Sequence, residues 1–314
     1  MKVFLFPGQG SQEAGMGTDL FKSDPAFREL AALAGELVGE DLEAICLRGP
    51  EKKLARTRLL QPLLVAISLG YLRRLRERGA QPDLVLGHSL GEITALAAAG
   101  VVTPPDAVRI AARRGELMDE AAARVDGAML AVTLQDRSRL MDWLASGQSA
   151  NQVTLANDNA ATQVVLSGER SCLAACAGFI AVEKLGRCRL LAVSGPWHSP
   201  FMAEAAARFD TWLRQIPMQP PRLPMLLNVT AGRAETAGNI RSQISSALAR
   251  PVRWTECMTA LRAMNPRWLF EVGPGHVLAG LARANGFGDS TRILRVSTLR
   301  GVESAAQALV AAPA

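Results

Sequence analysis

The sequence predicts an α/β fold: a large domain with a mostly parallel sheet covered by helices, interrupted by a small ferredoxin-like α+β subdomain. Three observations predict it. Short apolar runs bounded by Gly and Pro alternate with longer amphipathic stretches, the βα pattern of a parallel sheet. Residues 125–194 change character, with four β-rich runs and two helix-like stretches in about 70 residues, matching a βαββαβ unit. After residue 195 the helical pattern returns, so residues 1–124 and 195–314 are expected to form one large domain around the insertion.

The elements follow in order. KVFLFPGQG (2–10) reads as a strand running into a loop, residues 24–47 and 61–78 as helices. PDLVLGHSLG (82–91) is a strand and a turn, EITALAAAG (92–100) a helix, and DAVRIAARRGELMDEAA (106–122) a further helix with Ile110, Leu117 and Met118 on an apolar stripe. GAMLAVTL, QVTLAN, TQVVLSG and CRLLAVSG are the strands of the small unit, with helices near 136–147 and 169–184. RLPMLLNVTA (222–231) and PRWLFEVGPG (266–275) are expected as further strands of the large domain. The cleft between the two units is the default place for a site.

Composition narrows the function. The chain has 314 residues, 49% hydrophobic and 20% charged, as in a globular protein. No apolar stretch approaches the about 18–20 residues of a membrane span, and the N-terminus lacks a secretory apolar region, so a cytoplasmic protein with no membrane partner is expected. The five cysteines are scattered, and Cys172 and Cys176 have no second ligand pair, which speaks for buried thiols and against a metal site. The net charge of +6 favours anionic partners, but a single tyrosine and the lack of a basic run with interleaved aromatics speak against nucleic acid.

The chemistry concentrates at Ser89. Gly87-His88-Ser89-Leu90-Gly91 stands between a strand and a helix, the G-x-S-x-G nucleophile elbow, and makes the large domain α/β-hydrolase-like. The flanking glycines give room for a sharp strained turn, and the helix that follows points free N–H groups and a positive dipole end at the reaction centre. A serine hydroxyl needs a base. Of the three histidines, His88 adjoins Ser89 and diverges from it, and His276 lies in a glycine loop. His198, in SGPWHSPFM, sits in a loop after a strand and is the candidate base. No Asp or Glu near His198 announces itself as a third member, which leaves a backbone carbonyl as the alternative orienter.

FPGQGSQ (6–12), GHSLGE (87–92), RRGELM (113–118), GPWHSPFM (195–202), RPVRW (250–254) and EVGPG (271–275) occur in an order that resembles malonyl-CoA:acyl-carrier-protein transacylases, and the match spans almost the whole chain. The resemblance is to the discrete type, of fatty-acid or trans-acting polyketide synthesis. It implies that Ser89 carries the acyl group, that His198 moves the proton, and that the backbone N–H groups of Gln9 and Leu90 form an oxyanion hole. It also implies no cofactor beyond the substrates, malonyl-CoA and a phosphopantetheinylated acyl carrier protein. Read without the motif, Arg114 is a solvated charge on an arginine-rich helix; the resemblance makes it the arginine that grips the free malonyl carboxylate. Trp197 is expected to crowd an α-methyl branch and so to favour malonyl over methylmalonyl. One position departs from the pattern: Ala247 stands where many members carry Gln or Asn, whose main-chain carbonyl receives the histidine N–H. Two other readings stay open, a carrier-protein thioester hydrolase on the same scaffold and a non-catalytic carrier-docking subunit, as does transfer of an unusual acyl group.

Overall fold

The computed structural model describes residues 1–49, 51–146, 152–288 and 290–311. Its first sheet is wholly parallel. β1 (Lys2–Phe6) lies between β2 (Leu84–Gly87) and a late strand, Trp268–Val272, and a further strand, Arg292–Val296, forms the far edge. The reason is legible in β1: Val3, Leu5, Phe4 and Phe6 are all buried, so both faces of the strand are covered. Phe4 and Phe6 enter the main core, while Val3 and Leu5 enter a second cluster with Trp254, Met258, Leu261 and Leu278 on the opposite face.

The helices between β1 and β2 are α1 (Thr18–Ser23), α2 (Pro25–Val38), α3 (Leu42–Arg48), α4 (Glu51–Leu54) and α5 (Thr57–Glu77). The single helix expected over residues 24–47 is two helices. Gly39 closes α2 in a left-handed C-cap, and the Asp41 carboxylate accepts the Ala44 N–H to start α3. After β2 come α6 (Gly91–Ala98) and α7 (Pro104–Ala122). The Thr103 hydroxyl caps the latter by accepting the Asp106 N–H, and prolines follow at its first positions. α5 and α7 pack closely: a Cβ on Gly115 of α7 would lie 3.0 Å from the Thr57 carbonyl oxygen.

The second sheet contains β3 (Gly127–Leu134), β4 (Val153–Ala160), β5 (Gln163–Glu169) and β6 (Gly186–Leu190), antiparallel in the order β4-β5-β3-β6. With α8 (Arg137–Ala145) after β3 and α9 (Arg170–Val182) after β5, this is the ferredoxin-like βαββαβ order. Position 147, at the end of the helix expected near 136–147, lies outside the described residues. Ala128, Leu130 and Val132 face the small core under α8 and α9; Met129 and Val165, on the other face, join the main core.

The chain returns through a 3-10 turn (Pro200–Met202), α10 (Ala203–Leu213), α11 (Ala237–Ser246) and α12 (Trp254–Ala263). β7 (Trp268–Val272), α13 (Val277–Ala284), β8 (Arg292–Val296) and α14 (Leu299–Val310) complete it. The strand expected at 222–231 is not a regular strand. Met225 makes a single parallel bridge to Val85, and Leu226 pairs back to Arg233 instead of continuing along β2. β8, which the sequence pattern does not single out, takes the sheet edge; Arg292 and Arg295 interrupt its apolar run because that edge is only half covered.

Candidate active site

β2 delivers Ser89 at its C-terminal end. The turn there requires glycines: a Cβ on Gly87 would lie 1.9 Å from the Gly91 carbonyl carbon, and one on Gly91 2.0 Å from the Phe6 carbonyl oxygen. Squeezed between β1 and α6, Ser89 adopts φ +52°, in the left-handed region, a strain of about 1–3 kcal/mol that the surrounding structure must hold in place. His198 is likewise left-handed, at φ +59°.

The structure brings Ser89 and His198 together. Ser89 Oγ lies 2.7 Å from His198 Nε2. His198 Nδ1 lies 2.7 Å from the Ala247 carbonyl oxygen and 3.2 Å from that of Arg250. A carbonyl can only accept, so Nδ1 carries the proton and Nε2 is free to accept the serine O–H. Burial, and secondarily the Arg114 charge, pushes the His198 pKa down to about 3, so the ring is neutral and able to act as a base. In place of a carboxylate, the backbone of residues 247–250 orients the ring, and the alanine at 247 keeps the carbonyl that is used.

Arg114, 3% exposed in the middle of α7, donates from Nη2 to Ser89 Oγ over 3.2 Å. Among the described residues no carboxylate stands within 4.0 Å of its guanidinium. Burial lowers its pKa to about 10, and the more distant Glu92 offsets part of that. The solvated-charge reading of Arg114 is therefore excluded by its burial.

Gln9 and Leu90 are the expected oxyanion-hole residues, and Leu90 directly follows the serine in the chain. Leu90 caps α6, whose dipole favours negative charge at this end. The loop carrying Gln9 is pressed on the elbow: a Cβ on Gly8 would lie 2.5 Å from the His88 carbonyl oxygen and 3.5 Å from Leu90 N. Among the described residues neither N–H has a protein acceptor. The Gln9 side chain is turned aside, Nε2 donating to Thr57 Oγ at 3.0 Å.

Trp197 is placed differently. It is 4% exposed, its ring lies against Gly195, and it belongs to the main core; its indole N–H is buried without a partner among the described residues. His88 turns away from Ser89: its Nε2 pairs with Asn159 Oδ1 at 2.8 Å and its ring meets the Trp254 edge. His276 is exposed.

Sequence reasoning missed Asn228 and Glu92. Asn228 Oδ1 accepts the Ser89 N–H at 2.7 Å and its Nδ2 donates to the Gly87 carbonyl at 2.8 Å. Glu92 Oε1 accepts the Asn228 N–H at 2.7 Å. Burial drives the Glu92 pKa up to about 8, against the opposing pull of Asn228 and Arg114. The second half of GHSLGE is a visible signal for Glu92. Nothing in LNVTA marks Asn228.

The small sheet reaches the site through β4. Val252 N donates to the Ala156 carbonyl and Asp158 N to the Val252 carbonyl, both at 2.9 Å, while Asp158 holds the Arg137 guanidinium and the Thr255 hydroxyl. Among the described residues no group of three or more His, Cys, Asp or Glu could hold a metal ion.

Residues 3–293 match the family described as acyl transferase domain. Over 282 residues the chain is 35% identical to the malonyl CoA-acyl carrier protein transacylase of Bacillus subtilis, covering 90% of this chain and 89% of that one. It is 36% identical over 284 residues to the polyketide biosynthesis protein ThaF of Burkholderia thailandensis; this spans 90% of the chain but only 24% of that much longer protein. A solved type II PKS malonyl-transacylase in complex with its acyl-carrier protein superimposes with a TM-score of 0.91 at 33% identity, over 98% of this chain and 99% of that one.

Proposed function

The chain belongs to the acyl transferase domain family, and from that premise we propose that it moves a malonyl group from CoA to the phosphopantetheine thiol of an acyl carrier protein through an acyl-enzyme on Ser89. The observation that carries the malonyl assignment is Arg114: a buried guanidinium 3.2 Å from the serine oxygen, with no carboxylate of the protein's own within 4.0 Å, is suited to bind the free carboxylate of a dicarboxylic acyl group.

The steps follow from the geometry. Ser89 Oγ attacks the thioester carbonyl as its proton passes to His198 Nε2. The carbonyl oxygen becomes an oxyanion that the Gln9 and Leu90 N–H groups receive, each such donor worth roughly 2.7–4 kcal/mol in the transition state. The intermediate collapses, the C–S bond breaks, and His198 returns its proton to the departing CoA thiolate. In the second half the carrier thiol gives its proton to His198 and its sulfur attacks the Ser89 ester, regenerating the hydroxyl. The chemistry uses no cofactor in this scheme. An acyl carrier protein as acceptor is supported by the complex of the structural neighbour with its carrier. In this reading Trp197, packed in the main core and directly preceding His198 in sequence, acts as a wall against α-branching.

The division into residues 1–124 with 195–314 and an inserted unit 125–194 is part of the same reading. Among the described residues, the four parallel strands lie in the first set and the four antiparallel strands in the second. A cytoplasmic location is supported by five free cysteines; among the described residues no helix is long and apolar enough to cross a membrane.

The test is intact-mass analysis after mixing with a panel of CoA esters, with and without a carrier protein. A malonyl adduct lost in Ser89→Ala supports the transferase. Free acid without an adduct favours the thioester hydrolase, and no change with any ester favours a docking subunit.

A further inference from the structure

We infer that Asn228 is a positioning residue for acylation: its carboxamide clamps the two peptide groups that lead into Ser89, and its backbone carbonyl ties them to the segment that orients His198. The inference rests on the reading of Ser89 as nucleophile.

Asn228 is fully buried and lies on the segment that bridges β2 through Met225, 139 residues from Ser89 in sequence. Its four polar groups are all engaged. Oδ1 accepts from Ser89 N and Nδ2 donates to Gly87 O, so one planar amide spans the two consecutive peptide groups, 87–88 and 88–89, that lead into the strained residue. The Asn228 N–H is held by Glu92, which stands on the helix that the elbow starts. Its carbonyl accepts the Arg253 N–H at 3.0 Å, three residues beyond Arg250, whose carbonyl faces His198 Nδ1. A residue at a left-handed φ relaxes unless its surroundings over-determine it. Here an apolar side chain at 228 would leave the Ser89 N–H without an acceptor and free the turn to move. The distance most sensitive to that movement is Ser89 Oγ to His198 Nε2.

Three variants and two reagents test this. Asn228→Ala and Asn228→Leu remove both hydrogen bonds, the second while filling the space. Asn228→Asp keeps the acceptor for the Ser89 N–H in the same shape but loses the donor to the Gly87 carbonyl, so it retains one of the two bonds. Malonyl-CoA acylates Ser89 through the whole site; phenylmethanesulfonyl fluoride reads only the nucleophile. Whichever apolar variant is folded by circular dichroism is expected to lose at least about 30-fold in kcat, with KM for malonyl-CoA held within about twofold, as expected when a nucleophile is misplaced by a fraction of an ångström. Its sulfonylation slows in proportion, and Asn228→Asp, which keeps the bond to the Ser89 N–H, recovers part of both rates. A folded apolar variant at the wild-type rate, a change confined to KM, or an Asp variant as slow as the apolar one overturns the inference. If wild-type Ser89 reacts with neither reagent, the nucleophile reading itself fails and this inference with it; if Ser89 is sulfonylated but not malonylated, only the acyl-group assignment fails.

Discussion

Arg114 and Ser89 are joined by a 3.2 Å hydrogen bond from a buried guanidinium that no carboxylate within 4.0 Å neutralises among the described residues. A buried cation without a counter-charge is unfavourable, and a bound carboxylate would compensate it. Arg114→Ala is expected to lower the rate ratio of malonyl-CoA over acetyl-CoA by roughly 10²-fold, the loss of charge-assisted hydrogen bonds worth about 1.5–3 kcal/mol. Competition between the two esters for Ser89, read by mass, measures it. An unchanged ratio would remove Arg114 from carboxylate binding.

The His198 ring is held neutral by burial and by Arg114, with its pKa pushed down to about 3. The unfolded chain binds this proton near an ordinary pKa of about 6.5, so the stabilising effect of the neutral ring is present above that value and is lost as pH falls toward about 3. Imidazole ¹⁵N shifts, assigned with His198→Asn, are expected to show the Nδ1–H tautomer down to about pH 5. Arg114→Gln should move the titration upward, because a like charge is removed. A midpoint near 6.5 in the wild type would contradict the buried neutral base.

Glu92 has the opposite sign. Its carboxyl is pushed up to about 8, so the folded state binds a proton that the unfolded chain releases near about 4.3; the corresponding stability is present at low pH and lost as pH rises toward 8. In Glu92→Gln this loss disappears. The Tm of the variant relative to wild type should climb between about pH 5 and about pH 8. A difference that stays constant across that window would mean Glu92 is ionised throughout.

Ala247 contributes a carbonyl, not a side chain, to His198. Ala247→Ser should therefore leave kcat/KM for malonyl-CoA within about threefold, since the backbone acceptor is untouched. A larger loss without a loss of stability would show that the side-chain position itself takes part.

Gly91 has no room for a methyl group, with the Phe6 carbonyl oxygen 2.0 Å from its would-be Cβ. Gly91→Ala is expected to cost about 3 kcal/mol in urea unfolding, the upper part of the overpacking range. A near-neutral value would mean that β1 and α6 can separate at the elbow.

Local features are written in the order of the residues. A glycine on either side of Ser89, an apolar strand preceding it and small helix formers after it state an elbow, because steric demand at a tight turn acts between near neighbours in sequence. The βαββαβ rhythm of the small unit is legible for the same reason. The break at Gly39 is not: the apolar pattern runs on through it, and only the left-handed cap and the Asp41 start separate α2 from α3. Nor is the fate of 222–231, whose composition suits a strand but whose partner edge is met only at Met225.

By itself, then, the sequence determined the α/β class, the serine elbow and the order of motifs that singles out Ser89, His198 and Arg114. Tertiary structure alone decided that Arg114 is buried beside the serine, that the Arg250 carbonyl joins the Ala247 carbonyl at His198, and that Asn228 braces the turn. The physical reason is range and chemistry together. Backbone groups look alike at every position, so a carbonyl that orients a base, or an amide that meets a strained peptide 139 residues away, leaves no mark in composition or spacing until the chain has closed around it.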